Sequence, residues 1–337
     1  MPLQIFLEVM SDRRSLASLS LDLDNQWSYM KTHGDAGWEK FPSYLDVVVP
    51  RFLELIDSLG VKMTVFVVGQ DAALEKNHAA LKLIPEAGHE VGNHSFHHEP
   101  WLHLYSEEQL VEEISRAEIA IEEATGEHPH GWRGPGFSYS PTVLKTLAHR
   151  GYRYDASTFP TYLGPLARAY YFMTSGLGKK DREDRKQLFG KFREGFKSLK
   201  PYYWETSAGR LLEIPVTTTP FIKSPFHLSY LLYLATFSAP LARMYFQTAL
   251  SLCRIAGVQP SLLLHPLDFL GADDVPELGF FPAMNRGGAW KMKIAEEMLS
   301  AFCDKFEVVP MTEHARRIEQ AAEQQRGLPV RRPAVAV

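Results

Sequence analysis

Hydrophobic positions recur along the chain in two alternating rhythms. Short apolar runs, SLSLDLD (18–24), KMTVFVVG (62–69), HEVGNHS (89–95), YRYDAST (152–158), LLEIPVT (211–217), PSLLLHP (260–266) and FEVVP (306–310), have the length and residue types of strands. Between them, YLDVVVPRFLELIDSLG, EEQLVEEISRAEIAIEEATG, SPTVLKTLAHRG and AWKMKIAEEMLSAFCDKF carry helical spacing, the last three rich in helix formers. Repeated strand-then-helix units predict parallel strands joined by right-handed crossovers, and seven or eight such units close most readily into a TIM-like (β/α) barrel. An open doubly wound sheet is the competing architecture, but no glycine-rich phosphate loop follows any strand. A single α/β domain over 1–326 is therefore expected.

Three segments break the rhythm. Residues 161–210 combine the charge run KKDREDRKQ with many aromatics and are expected to form a solvated helical insertion. The tail 327–337 is expected to be unstructured. SPFHLSYLLYLATFSAPLA (224–242) has no charge over nineteen positions, although Pro225, Pro240, His227 and three serines interrupt it. It reads as a buried helix or as a face that touches a membrane.

Composition narrows the function classes. With 45% hydrophobic residues in 337, the chain can bury a large core. Thirty-six basic against forty acidic residues, with no dense Lys/Arg cluster, argue against a nucleic-acid partner. The two cysteines, Cys253 and Cys303, lie far apart in helix-like stretches and read as inert buried thiols, so neither a disulfide framework nor a thiolate metal site is expected. The N-terminus lacks a basic n-region and a cleavage site, which sets the expectation of a cytoplasmic protein, with 224–242 available for contact at the inner membrane face.

Candidate chemistry collects at strand C-terminal ends, where a barrel gathers its active site. Strand one ends in Asp22 and Asp24; strand three ends in His94, with His97 and His98 following; HGWRGPGF supplies Arg133, YRYDAST supplies Asp155 and Ser157, and LLLHPLD supplies His265. Singly, each has a plainer reading: a capping aspartate, a surface histidine in a polar turn, a satisfied core histidine. Gly92 and Pro100 favour a strand followed by a turn around the histidines. The coincidence at one rim carries the argument. Two imidazoles and a carboxylate form a facial ligand set for one divalent ion, zinc first, with cobalt, manganese, nickel or iron also suited. Such an ion brings the pKa of bound water to about 7 and polarises a carbonyl. A spare carboxylate could take the proton of that water, and a histidine across the cleft could protonate a departing amine, which describes an amide hydrolase.

SLDLDN, HEVGNHSFHH, WRGPGFS, YRYDAST and LLLHP resemble, in order, the motifs of the polysaccharide deacetylase family (carbohydrate esterase family 4), metal-dependent N-deacetylases built on a distorted (β/α) barrel; the likeness covers roughly residues 15 to 325. The resemblance implies that Asp24, His94 and His98 bind the metal, that Asp22 is the general base oriented by Arg133, and that His265 is the general acid. It also implies that the Gly136 N–H helps stabilise the oxyanion. His97 then becomes a bystander. Two departures stand out: Leu23 separates the aspartates and Asn25 follows them, so a shifted register would make Asp24 the base and Asn25 the ligand; and the Asp-Trp pair that tethers the acid histidine in the family is absent, leaving Asp155, Glu213 and Asp268 as candidates. Trp27, Tyr29 and Trp101 are expected as sugar-stacking walls, with Pro135 and Phe137 beside them. The expected substrate is an N-acylated, foremost N-acetylated, aminosugar, amphiphilic or lipid-carried. Deformylation of a lipid-linked aminosugar, hydrolysis of a non-sugar amide and a non-catalytic carbohydrate-binding barrel are the alternatives.

Overall fold

The computed structural model describes residues 14–164, 192–325 and 330–331. Strand β1 (Ser15–Leu23) is buried from Ala17 onward, and its period of two sorts it into two faces. Leu19, Leu21 and Leu23 face one side, and Ser18, Ser20 and Asp22 the other. Beside it run β2 (Thr64–Val67), β3 (Glu90–Asn93), β4 (Gly131–Trp132) and β5 (Tyr154–Asp155), each parallel to its neighbour. The hairpin β6 (Tyr202–Thr206) and β7 (Gly209–Glu213) joins through β7, which pairs parallel with β5. On the opposite edge, β8 (Ser261–Leu264) and β9 (Phe306–Val309) share β1, pairing with its second and first halves respectively.

The sheet order is thus β6-β7-β5-β4-β3-β2-β1-β8. Its ends meet without a ladder: Thr217 donates its N–H to Ser261 O (3.0 Å), and Ser261 donates its N–H to Thr217 Oγ1 (2.8 Å). This irregular seam makes the barrel distorted, with seven parallel strands around it, at the lower end of the seven or eight units expected.

Helices cover the outside: α1 (Gln26–His33), α2 (Leu45–Ser58), α3 (Glu75–Glu86), α4 (Glu107–Thr125), α5 (Pro141–His149), α6 (Leu228–Ala256), α7 (Gly288–Lys305) and α8 (Met311–Gln325). Local chemistry sets their ends. A Ser106–Gln109 capping box starts α4 and Gly126, in the left-handed region, stops it. Ser140 caps α5 ahead of Pro141. The uncharged segment becomes the first half of α6, which kinks at Ser238 two residues before Pro240, where the ring removes a backbone donor. Leu231 and Leu232 are buried there. No helix among the described residues is long and apolar enough to cross a membrane.

Two expectations need correction. The span 161–210 is not a wholly helical, solvated excursion. Residues 165–191 lie outside the described part, but Phe192–Phe196 forms a short 3-10 turn and Tyr202–Thr206 is a strand of the main sheet. Consecutive aromatics there favour a pleated, half-buried surface, and Tyr202 and Trp204 turn inward. Of the tail, Val330 and Arg331 are described, and they pair with Tyr203 and Trp204 as a two-residue parallel strand. Cys253 is buried in α6 and Cys303 half-buried in α7, and burial pushes both thiols up, as inert cysteines require.

Candidate metal-binding and hydrolytic site

Parallel strands place their C-terminal ends on one rim, and the polar residues singled out above sit there. Asp22 lies in the last turn of the β1 pleat, Asp24 just beyond it, His94 one residue past β3, Arg133 one residue past β4 and His265 one residue past β8.

Asp24, His94 and His98 converge, their ligand atoms all within 4.8 Å of one another. His98 Nε2 is 2.9 Å and His94 Nε2 3.4 Å from Asp24 Oδ1. That oxygen is buried and finds no hydrogen bond of good geometry. A buried acceptor facing two ring nitrogens without a proper donor is the signature of a position a cation completes. The His94 Nδ1 points the other way, donating to Arg133 O at 2.7 Å, which leaves Nε2 its lone pair for a metal. Burial works to raise the Asp24 carboxyl, and the His98 and His94 imidazoles overcome it and hold it well below the usual carboxylate range. This donor set therefore fits a divalent ion.

The histidines are presented by a tight loop. Ser95 and His98 both adopt left-handed backbone, uncommon for residues with a side chain. The loop is fixed from outside by Glu113 of α4, whose Oε1 accepts the N–H of Phe96 (3.0 Å) and of His97 (2.6 Å), while Oε2 meets His97 Nδ1 at 2.7 Å. His97 is thus part of a latch that shapes the ligand loop. Nothing in the sequence marks Glu113, which reads as one more acidic residue of an exposed helix.

Asp22 is not one of the three, but it is close enough to act on His94 and is held by Arg133. Arg133, fully buried, donates Nη1 to Asp22 Oδ1 (2.7 Å) and to Ser20 Oγ (3.0 Å), and Nε to Ala156 O (3.0 Å); its guanidinium lies 4.4 Å above the Phe66 ring. Asn25, the alternative ligand, is committed elsewhere: its Oδ1 accepts the N–H of Gln26 and Tyr44, and its Nδ2 donates to Ser43 and Asp71.

The WRGPGF loop packs against the histidine loop. Gly136 has φ +57°, and a Cβ there would sit 2.9 Å from Pro100 Cβ, so both conformation and space require glycine. Gly136 is exposed, Phe137 stacks on Phe159 with ring centroids 4.8 Å apart, and Pro135 is buried.

Some expected roles do not survive. Trp27 is buried beneath the site, its Nε1 donating to Asp71 Oδ1, and cannot stack on a sugar. Pro135 is likewise enclosed. Tyr29 is no open wall but a buried floor residue packed edge-on to Phe281, and its hydroxyl is pushed well up by burial and by Asp24, Tyr44, Asp268 and Asp22. That one phenol feels both aspartates and Asp268 ties the two sides of the site together. Asp155 does not reach His265. It is fully buried, accepts from Ser157, and is pushed up by burial and by the adjoining carboxyl of Glu213, whose own oxygens take Thr158 and Trp204. Ser157 in turn accepts the N–H of Gly134, so Asp155 supports the WRGPGF loop. Trp101 remains half-buried at the rim.

Known proteins resemble the chain in sequence and in fold. The sequence model of the family described as "Polysaccharide deacetylase" matches residues 35–154. That stretch contains His94, His98, Arg133 and Gly136, whereas Asp22, Asp24 and His265 are brought to the site by the fold. The chain is 30% identical over 112 residues to a peptidoglycan deacetylase of Helicobacter pylori, covering 33% of this chain and 37% of that protein. It is 29% identical over 111 residues to the peptidoglycan-N-acetylmuramic acid deacetylase of Bacillus subtilis, covering 33% and 41%. It thus spans well under half the length of these relatives. Among solved structures, a candidate polysaccharide deacetylase from Mycobacterium smegmatis superposes with a TM-score of 0.59 at 19% identity, over 96% of this chain and 99% of that one. A probable polysaccharide deacetylase from Pseudomonas aeruginosa gives 0.56 at 18% identity, over 92% and 93%. At those identities the superpositions speak for the fold.

Proposed function

We propose that the chain is a member of the polysaccharide deacetylase family, whose sequence model matches residues 35–154, and that it is a metal-dependent hydrolase that removes an N-acyl group, foremost acetyl, from an aminosugar-containing substrate. The observation that carries this reading is the Asp24–His94–His98 cluster beside the Arg133-held carboxylate of Asp22. Asp24, His94 and His98 would hold the ion, zinc first among those this donor set accepts. When bound, the ion would supply an acidified water and polarisation of the acyl oxygen.

The remaining work belongs to the protein. Asp22 takes the proton of the attacking water; Arg133, donating to it at 2.7 Å, keeps that carboxylate aimed. The Gly136 N–H, on a loop braced by Ser157 and Pro100, faces the developing oxyanion. His265, one residue past β8 and so next to the end of β1, gives its proton to the departing nitrogen. Release of acetate from an N-acetylglucosamine oligomer, lost in Asp22→Asn, tests the reading; formate as the released acid would point instead to a deformylase.

We also propose that the substrate is amphiphilic. In support, Tyr230, Tyr233, Phe237, Leu241 and Met244 are exposed at three- and four-residue spacing along α6, beginning beside His227 at the rim, and an apolar anchor or a membrane surface could lie against that stripe.

A further inference from the structure

The turn that presents Asp24 is held by a buried polar network. Asp24 donates its N–H back to Asp22 O at 2.9 Å, and its own carbonyl accepts the Tyr44 hydroxyl. The next residue, Asn25, is fully buried and caps α1. A primary amide has two N–H donors and one acceptor oxygen, and all are used here. Oδ1 accepts the N–H of Gln26 (2.8 Å) and of Tyr44 (3.2 Å), while Nδ2 donates to Ser43 Oγ (2.9 Å) and to Asp71 Oδ1 (2.7 Å). Asp71 comes from the short helix Gly69–Ala72 that follows β2, and it is 1% exposed. Three donors converge on its Oδ1: Asn25, the Trp27 indole at 2.9 Å and, at 3.4 Å, Asn77 of α3. Asn77 also donates to Asp71 O (2.9 Å) and accepts the Ser43 hydroxyl (2.9 Å), which closes a ring of bonds through Asn25, Asp71, Asn77 and Ser43.

We propose that Asp71 is a positioning residue for the metal centre: acting through Asn25, it fixes the turn after β1 that presents the Asp24 carboxylate. The inference rests on the reading of Asp24 as a ligand. Asp24 lies one residue past the end of β1, so the strand ladder does not set the direction of its side chain. The backbone on either side must do so, and on the C-terminal side that backbone is Asn25. The Asn25 amide holds its orientation while both of its ends are clamped, by two N–H groups at Oδ1 and by two acceptors at Nδ2.

The chemistry of the ring explains why an acid stands at position 71. The oxygens of Asn25 and Asn77 already accept other donors, so the acceptor for Asn25 Nδ2 has to come from Asp71. One oxygen suffices: Asp71 Oδ2 is buried and has no partner. Burial pushes the carboxyl up to about 7, against the Asn25 and Trp27 bonds that pull it down. Without that acceptor, the Asn25 amide keeps a buried donor that must turn to find another oxygen, and the Asp24 turn moves with it.

The test measures zinc affinity, by competition with a chelator, and melting temperature in wild type, Asp71→Ala, Asp71→Asn and Trp27→Phe. Asp71→Ala is expected to weaken zinc binding by about 10- to 100-fold, the usual effect of removing a group that orients a ligand. Asp71→Asn keeps an acceptor oxygen for Asn25 and should bind zinc as wild type does. Trp27→Phe removes another bond to the same oxygen, off the route to Asp24, so it should lower the melting temperature and leave zinc affinity unchanged. If Asp71→Ala does not fold, Asp71→Ser, whose hydroxyl falls short of Asn25, takes its place with the same expectation. Unchanged zinc affinity in folded Asp71→Ala or Asp71→Ser overturns the inference, as does an equal loss in Asp71→Asn or Trp27→Phe. Wild type that binds no divalent ion would remove the metal centre and this inference with it. Wild type that binds zinc yet releases no acid from any N-acyl aminosugar would count against the proposed function alone.

Discussion

Arg133 Nη1 lies 2.7 Å from Asp22 Oδ1, in a pair that solvent hardly reaches. The guanidinium has further fixed partners in Ser20, Ala156 and the Phe66 face, so it cannot follow the carboxylate if that moves. The pair joins β1 to the loop after β4 and sets Asp22 beside the Asp24–His94–His98 cluster.

Removing one member of such a pair leaves the other charge buried alone. Arg133→Met is expected to cost about 3–5 kcal/mol of stability, read by chemical denaturation. Asp22→Asn should keep the fold and the metal while lowering turnover by about 10²–10⁴. Wild-type turnover in Asp22→Asn would remove Asp22 as the base.

Glu113 touches no proposed ligand, yet it grips the loop that presents His98. Glu113→Ala is expected to weaken metal binding by about 10- to 100-fold, the usual effect of removing a group that orients ligands. Competition with a chelator measures it. Unchanged affinity would mean that the strained backbone at Ser95 and His98 holds itself.

The contrast between Glu113 and His94 shows what the sequence could reveal. His94, Arg133 and His265 were legible because a strand's last residues carry their own address: an apolar run that ends at a polar side chain puts that side chain on the rim. Glu113 lies mid-helix, on a face set by tertiary packing, so no local period marks it. Trp27 misled for a related reason. An indole three residues from an aspartate packs under a site as readily as it lines one, and only Asp71, a remote buried carboxylate, decided between them. The barrel was legible from its alternation, whereas β6 was hidden behind the charge run that precedes it.

On α6 the apolar residues divide cleanly. Leu231 and Leu232 face the core and their replacement would test folding, whereas Phe237 is 73% and Met244 62% exposed. If the stripe contacts a lipid surface, Phe237→Ser with Met244→Ser should reduce co-sedimentation with vesicles while leaving the melting temperature nearly unchanged. Equal sedimentation of wild type and variant would remove the lipid contact from the account.

His314 offers a prediction about acid stability. Its ring is buried between Ser18 Oγ (3.0 Å) and Gln259 Oε1 (3.1 Å), and burial followed by Arg317 pulls its pKa down to about 3. The unfolded chain takes up this proton near pH 6.5 and the folded one near 3, so this contribution to stability is complete above 6.5 and is lost as pH falls between those values, by up to about 1.4 kcal/mol per pH unit. Unfolding measured from pH 7 to 4 should show a shallower acid limb in His314→Gln than in wild type.

The account depends most on one ion at Asp24, His94 and His98. Elemental analysis of purified protein should find about one divalent metal per chain in wild type and little in His94→Ala, with both proteins folded. Equal metal content in the two would contradict the site.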